Sequence, residues 1–198
     1  MTDPVAPLLA ALGRDGGASS DFDLNTEVHL PEGRKLRSAA VLVPVQVING
    51  VAQVLLTKRS SHLKHHPGQI AFPGGKQDEG DADVTAAALR EAQEEIGLPT
   101  ENVQVLGTLP THETVTSFTV TPVVGLVQAP FLIRPEPGEV EEVFHVPLSH
   151  VTDPARFAIE GRMWLGERRH YYIVPFGPYY IWGATARILR GLAERMAA

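Results

Sequence analysis

Cysteine is absent from this 198-residue chain, which excludes disulfides and thiolate metal sites. No stretch approaches 18 apolar residues, so no segment is suited to span a bilayer as a helix. An excess of positive charge is also missing. With 17 Lys+Arg against 23 Asp+Glu the net charge is −6, which argues against a nonspecific nucleic-acid or membrane-surface binder. Any basic patch must then be local, and Lys58, Arg59 and Lys64 are the obvious cluster. Internal repeats and low-complexity tracts are lacking too. The start, Met1-Thr2-Asp3, carries no basic segment, and Leu8–Leu12 is too short for a signal core, so a cytoplasmic location is expected. What is present, 43% hydrophobic and 20% charged residues, is the composition of an ordinary soluble globule. The length accommodates one well-buried domain plus an extension.

The richest stretch runs from Gly74-Gly75 to Arg90-Glu91-Ala92-Gln93-Glu94-Glu95-Ile96-Gly97-Leu98. Asp81 or Asp83 can cap a helix there, and Gly97 then Pro99 end it. At roughly 100° per residue, Val84, Ala88, Leu89, Ala92 and Ile96 form one apolar stripe. Glu95 falls inside the edge of that stripe, Glu91 just outside it, and Glu94 points further toward solvent. This arrangement is locally costly. Glu91 and Glu95 are like charges at i, i+4, which destabilises a helix by about 0.2–0.5 kcal/mol, and both sit where the helix dipole disfavours anions. Arg90 lies on roughly the opposite side of the helix and does not easily screen both. A bare ExxEE is usually an ordinary acidic face, but a divalent cation would resolve this conflict, and an all-oxygen site suits Mg2+ or Mn2+.

Elsewhere, Pro7–Leu12 reads as a short helix and residues 13–20 as a linker. Ala39–Ile48 and Val51–Thr57 read as strands joined by the Asn49-Gly50 hairpin turn. Ile70–Phe72 is a short strand that delivers Gly74-Gly75. Val103–Thr111 and Phe118–Val127 are strands around a polar loop, His112–Ser117. Val143–Val146 and Tyr171–Phe176 are further strand candidates, and Gly183–Met196 closes the chain as a helix. His62, His65 and His66 lie in a loop with no carboxylate in register, and read as solvent-facing or phosphate-contacting rather than metal-binding. Trp182 and Tyr179-Tyr180 read as packing residues rather than base-stacking platforms.

Two sets of these residues resemble a known family. Arg90, Glu91, Ala92, Glu94, Glu95, Gly97 and Leu98 match the helical half of the Nudix box, R-E-U-x-E-E-x-G-U with U apolar. The loop from Gly75 to Arg90 is one residue longer than the usual box, and the acid expected in mid-loop is displaced to Asp81 or Asp83. Upstream, Leu55-Leu56-Thr57-Lys58-Arg59-Ser60, Lys64, Gly68 and Phe72-Pro73-Gly74-Gly75 are similar to the signature of the coenzyme A branch of Nudix hydrolases. The one departure is Lys64, where that signature has arginine, so charge is kept but a bidentate fork is lost.

The resemblance implies an α/β fold, a Nudix-type α/β/α sandwich around a mixed β-sheet, over residues 35–198, with 1–34 as an N-terminal extension of short helix plus linker. It implies metal-dependent hydrolysis of the diphosphate bond of coenzyme A or an acyl-CoA, giving 3′,5′-ADP and 4′-phosphopantetheine or its acyl form. Glu91 and Glu95 would be the principal ligands of Mg2+ or Mn2+, Glu94 a ligand of a second ion or a positioner of water, and the Gly74 carbonyl a further ligand. Arg90 would orient the glutamates or the loop. A late loop often supplies another glutamate in this family, and Glu139 and Glu142 flank the proline-rich stretch Pro130–Pro137. Arg59, Lys64 and Lys58 would meet the 3′-phosphate or the diphosphate. The expected partner is a small-molecule substrate, with no nucleic acid and no membrane, and monomer and homodimer both stay open. Two alternatives remain: a Nudix pyrophosphatase acting on ADP-ribose, NADH or another nucleoside diphosphate derivative, and a non-catalytic nucleotide-binding regulatory module.

Overall fold

The computed structural model describes residues 3–28, 33–164 and 166–198. Its organising element is the long strand β2 (Arg37–Ile48), in which residues 39, 40, 42, 43, 44 and 45 are all buried. A strand covered on both faces reads as a nearly unbroken apolar run, as Ala39–Val45 does. At Asn49-Gly50 both residues take left-handed φ angles, 51° and 78°, and return the chain as β3 (Val51–Arg59). On the other side β2 pairs in parallel with β8 (Phe118–Val127), in register from Arg37–Phe118 to Gln46–Val127.

Antiparallel neighbours complete a mixed sheet. β4 (Ile70–Ala71) and β9 (Val140–Pro147) pair with β3, and β5 (Gly74–Lys76) pairs with β2. β6 (Val103–Thr108) and β7 (His112–Glu113) pair with β8, and β1 (Ser19–Ser20) adds to β7 in parallel.

Helices cover both faces, as the α/β/α expectation requires. On one face α2 (Val84–Ile96) sets Ala87, Ala88, Ala92 and Ile96 against Ala40, Leu42, Leu55 and Val123. On the other, α1 (Ala6–Leu12) and α4 (Gly183–Ala197), with the single turn α3 (Leu148–Val151), bury Leu8, Ala11, Leu189 and Leu192 against Val43, Val45, Val54 and Leu56. Each such leucine contributes about 1.5–3 kcal/mol by leaving water. Period-two alternation along β3 sends Leu55, Thr57 and Arg59 toward α2, and Leu56 and Lys58 to the opposite face.

Three local expectations are corrected. Residues 13–20, read as a linker, end in β1, whose Ser19 pairs with His112. The polar loop expected over His112–Ser117 begins as β7, and His112 is fully buried between Ser19 Oγ (2.9 Å from Nδ1) and Asp21 Oδ1 (3.1 Å from Nε2). The Tyr171–Phe176 candidate is the end of β11 (Glu167–Ile173), which forms an antiparallel hairpin with β10 (Ala158–Trp164), a strand in which Glu160-Gly161-Arg162 interrupts the apolar residues and hides the strand pattern. Residues 1, 2 and 29–32 of the expected extension lie outside the described residues. The rest of it joins the same core through Val5, Leu8 and Ala11.

Candidate active site

The loop after β5 and the helix α2 are tied together by one arginine. Asp83 caps α2, accepting from the Ala86 N–H at 2.8 Å, and Gly97 ends it in the left-handed conformation with φ 72°. Between them Arg90 forks onto Asp81, Nε to Oδ1 at 2.9 Å and Nη2 to Oδ2 at 3.0 Å, and also donates to the Lys76 carbonyl at 3.2 Å. Its Nη1 reaches Glu91 at 3.1 Å and Glu94 at 2.9 Å. A long, flexible side chain thus overcomes the angular separation that helix geometry alone suggests, although no hydrogen bond joins it to Glu95. Asp81 is held below the usual carboxylate range by that fork and by the Asp78 N–H, and the Arg90 guanidinium is raised by the same contact. The displaced acids therefore have separate tasks, Asp81 on Arg90 and Asp83 on the helix cap.

Glu95 is only 4% exposed. Its Oε2 accepts the Gly74 N–H at 3.1 Å, and burial pushes its pKa up to about 8 against the opposing pull of that bond and of Arg59. Glu91 is raised as well, chiefly by burial. Its carboxylate lies so close to Gly75 that a Cβ there would sit 2.5 Å from Oε1. The Gly-Gly pair therefore lets β5 pass directly over two desolvated carboxylates.

A third carboxylate arrives from the proline-rich loop. The last carbonyls of α2 need donors, and residues 134–136 supply them, Arg134 N–H to Ile96 O at 3.0 Å and Glu136 N–H to Glu95 O at 2.9 Å. A tight turn follows, with the Val140 N–H on the Glu136 carbonyl at 2.8 Å, and the Ser60 N–H accepted by the Glu139 carbonyl at 2.8 Å. Glu139 consequently stands near enough to raise the pKa of both Glu91 and Glu95. Glu142 goes elsewhere. It accepts from Tyr179 Oη at 2.6 Å on the other face of the sheet, beside Lys58.

Among the described residues no three His, Asp or Glu side chains converge as a ready ligand set, because Arg90 engages Glu91 and Glu94. The donors nevertheless fit a hard divalent cation. They are all oxygen, and burial penalises the ionised forms of Glu91 and Glu95, a cost that a bound cation would relieve.

A family profile described as NUDIX domain matches residues 36–165. The chain belongs to the Nudix family. It is 41% identical over 187 residues to the "Uncharacterized Nudix hydrolase NudL" of Pectobacterium atrosepticum, covering 91% of this chain and 95% of that protein. The protein of the same name from Citrobacter koseri is 45% identical over 165 residues, 79% of this chain and 81% of its own. Among solved structures, a MutT/nudix family protein from Enterococcus faecalis superposes with a TM-score of 0.55 at 17% identity, over 87% of this chain and 66% of that one, a likeness of fold. The chain is a Nudix hydrolase acting on a pyrophosphate bond, and α2 is its Nudix helix.

The basic trio upstream of the Nudix helix is divided by the sheet, Lys58 and Lys64 lining one cleft and Arg59 facing α2. Lys58 pairs with Glu141, Nζ to Oε1 at 2.7 Å. Arg59, on the opposite face, lies close enough to act on both the Glu95 carboxylate and the His66 ring. Lys58 and Lys64 both line a cleft of about 860 Å³, together with His65, His66, Arg162, Glu142, Tyr179, Tyr180 and Trp182. The reading of Tyr179, Tyr180 and Trp182 as packing residues holds for Tyr179 and, against Tyr171, for Trp182, but all three also line this cleft. Only Tyr179 stacks on the core, against Phe144 at 3.6 Å between ring centroids, and Tyr180 stays 41% exposed. Arg162 and the β10–β11 hairpin went unread because nothing local marks a cavity wall built across some 100 residues of sequence.

Proposed function

We propose that this Nudix hydrolase cleaves the diphosphate of coenzyme A or an acyl-CoA, giving 3′,5′-ADP and 4′-phosphopantetheine or its acyl form. The observation that supports this reading most is how the segment Leu55–Gly75 runs. It carries Arg59 on the α2 face of the sheet, close enough to act on Glu95, and Lys58, Lys64, His65 and His66 into the lining of the large cleft. A diphosphate seated near Arg59 would then have one of its arms directed toward that cleft.

Glu91 and Glu95, with Glu94 and Gly74, would hold Mg2+ or Mn2+, whose contribution when bound is to neutralise the diphosphate and ease formation of a hydroxide nucleophile. Arg59 meets the diphosphate oxygens. Glu139 takes the proton of the attacking water, a role suited to an exposed carboxylate beside a buried pair. Arg90 positions the helix carboxylates and the loop through Asp81. The N–H of Gly74 keeps Glu95 turned toward the site.

The test is a side-by-side turnover assay with Mg2+ or Mn2+ on coenzyme A, an acyl-CoA, ADP-ribose and NADH, products identified by mass. Coenzyme A or its acyl ester should give the highest kcat/KM, with 3′,5′-ADP as a product. Faster turnover of ADP-ribose or NADH would overturn the substrate assignment. Absence of turnover on the whole panel, with nucleotide still bound, would point to a regulatory module.

A further inference from the structure

Next to the large cleft is a smaller chamber of about 220 Å³, walled by the β10–β11 hairpin, the segment around Asp21–Asn25 and the start of α4. The two spaces share His66, Arg162 and Trp182, so they adjoin. Arg169 lines the chamber, and its Nε is buried with no hydrogen-bond partner among the described residues. A buried guanidinium N–H without an acceptor is costly, and the group awaits an anion or another acceptor. Among the described residues Asp21 is the one carboxylate lining the chamber, and both its oxygens are engaged, Oδ1 near His112 Nε2 at 3.1 Å and Oδ2 accepting the Val115 N–H at 2.9 Å.

The rest of the wall is suited to a flat ring. Trp182 and Tyr171 meet at 5.1 Å between centroids, and the Arg162 guanidinium lies 5.5 Å from the Trp182 ring. Rigidity comes from Asn25, which is 2% exposed and grips the β11 backbone in both directions. It donates to the His170 carbonyl at 3.0 Å and accepts the His170 N–H at 2.8 Å. The strand position next to Arg169 is thereby held. His66 lines both the chamber and the cleft, and Arg59 lies close enough to act on the His66 ring as well as on Glu95.

We propose that the chamber binds the phosphomonoester of a 3′-phosphorylated nucleoside, with Arg169 and Arg162 donating to its oxygens and the aromatic wall at Trp182 flanking the base. This rests on the coenzyme A reading above and moves recognition of the 3′-phosphate away from Lys58, which is paired with Glu141, and Arg59, which faces Glu95. Arginine suits a dianion better than lysine does, since its planar fork donates two parallel hydrogen bonds.

Calorimetric titration of the full chain in EDTA tests binding apart from catalysis, with 3′,5′-ADP and 5′-ADP as probes. The wild type should bind 3′,5′-ADP at least about tenfold more tightly, the scale of one charge-assisted hydrogen bond. Arg169→Gln and Arg162→Gln should each erase most of that preference while leaving 5′-ADP binding within about threefold. Equal affinity of the wild type for the two probes overturns the proposal, and so does equal weakening of both probes in the variants. Should Arg169→Gln fail to fold, the more exposed Arg162→Gln decides the question alone. Turnover separates this result from the substrate reading. A wild type that prefers 3′,5′-ADP yet hydrolyses ADP-ribose faster than coenzyme A sinks the substrate and keeps the chamber. Rapid coenzyme A turnover that neither variant slows relative to 3′-dephospho-coenzyme A sinks the chamber and keeps the substrate.

Discussion

Replacing Glu95 by glutamine should stabilise the metal-free protein, and by an amount that depends on pH. Glu95 is buried and its pKa is about 8, against an ordinary value of 4.5. A carboxyl whose pKa is higher in the folded than in the unfolded state binds its proton more tightly when folded. Its contribution to stability is therefore full below about pH 4.5 and is lost as the pH rises through about 8. At 1.36 kcal/mol per pH unit the whole span corresponds to roughly 5 kcal/mol, an upper bound because water entering the site softens the cost. Glutamine is isosteric, carries no charge, and keeps an oxygen for the Gly74 N–H. In EDTA, Glu95→Gln should match wild type within about 0.5 kcal/mol near pH 4.5 and exceed it by at least about 2 kcal/mol at pH 8.5. In thermal scans the latter is a gain of roughly 4–8 °C for a chain of this size. Urea unfolding at both pH values measures the difference, and other titrating groups cancel between the two proteins. Adding Mn2+ should narrow the gap, since only the wild type binds it tightly. A difference of the same size at pH 4.5 and pH 8.5 would refute the claim that Glu95 is a buried carboxylate held at the cost of charge.

Turnover by the same variant should fall by more than tenfold, and EDTA should stop wild-type activity reversibly, with Mg2+ or Mn2+ restoring it. Glu139→Gln should lower kcat about 10²–10⁴-fold with little change in KM, whereas Glu142→Gln, bound to Tyr179 across the sheet, should affect KM more than kcat. Equal and mild effects at both positions would place the base elsewhere. Asp81→Asn removes one carboxylate charge from the Arg90 fork and should weaken Mn2+ affinity about 10–100-fold, read by titration, with the fold preserved by circular dichroism. Gly75→Ala puts a methyl 2.5 Å from Glu91 Oε1 and should abolish activity with modest loss of stability. Gly74→Ala meets the Ala40 carbonyl at 2.4 Å, a backbone atom that cannot swing away, and should cost about 1–3 kcal/mol in urea unfolding.

The Nudix helix is legible in the sequence because its determinants are local. A cap at Asp83, a left-handed stop at Gly97 and an apolar stripe with a glutamate at its edge lie within 15 residues. The β2–β3 hairpin is legible for the same reason, since Asn49-Gly50 alone specifies the turn. What composition and spacing leave unread is pairing at a distance. Residues 13–20 look like a linker because glycine and serine dominate, yet Ser19 is recruited by a β7 edge that exists only in the folded sheet. The basic trio looks contiguous because Lys58 and Arg59 are neighbours, but neighbouring residues in a strand face opposite ways. The Glu139–Glu142 ambiguity has the same root. Strand pairing carries Glu142 across the sheet, and the docking of residues 134–136 on the helix end turns Glu139 toward the site.

The packing of α1 on α4 has a consequence for how the protein is made. About 170 residues separate the end of α1 from the start of α4, and at roughly 5–20 residues per second that interval is about 10–35 s. Throughout it Leu8 and Ala11 have no Leu189 or Leu192 to cover them, and the β2–β3–β9 part of the sheet is completed only late in the interval, once β9 (Val140–Pro147) has been made. Part of the apolar face of α1 therefore stays uncovered until α4, made much later, packs on it, which leaves this face open to chaperone contact during synthesis.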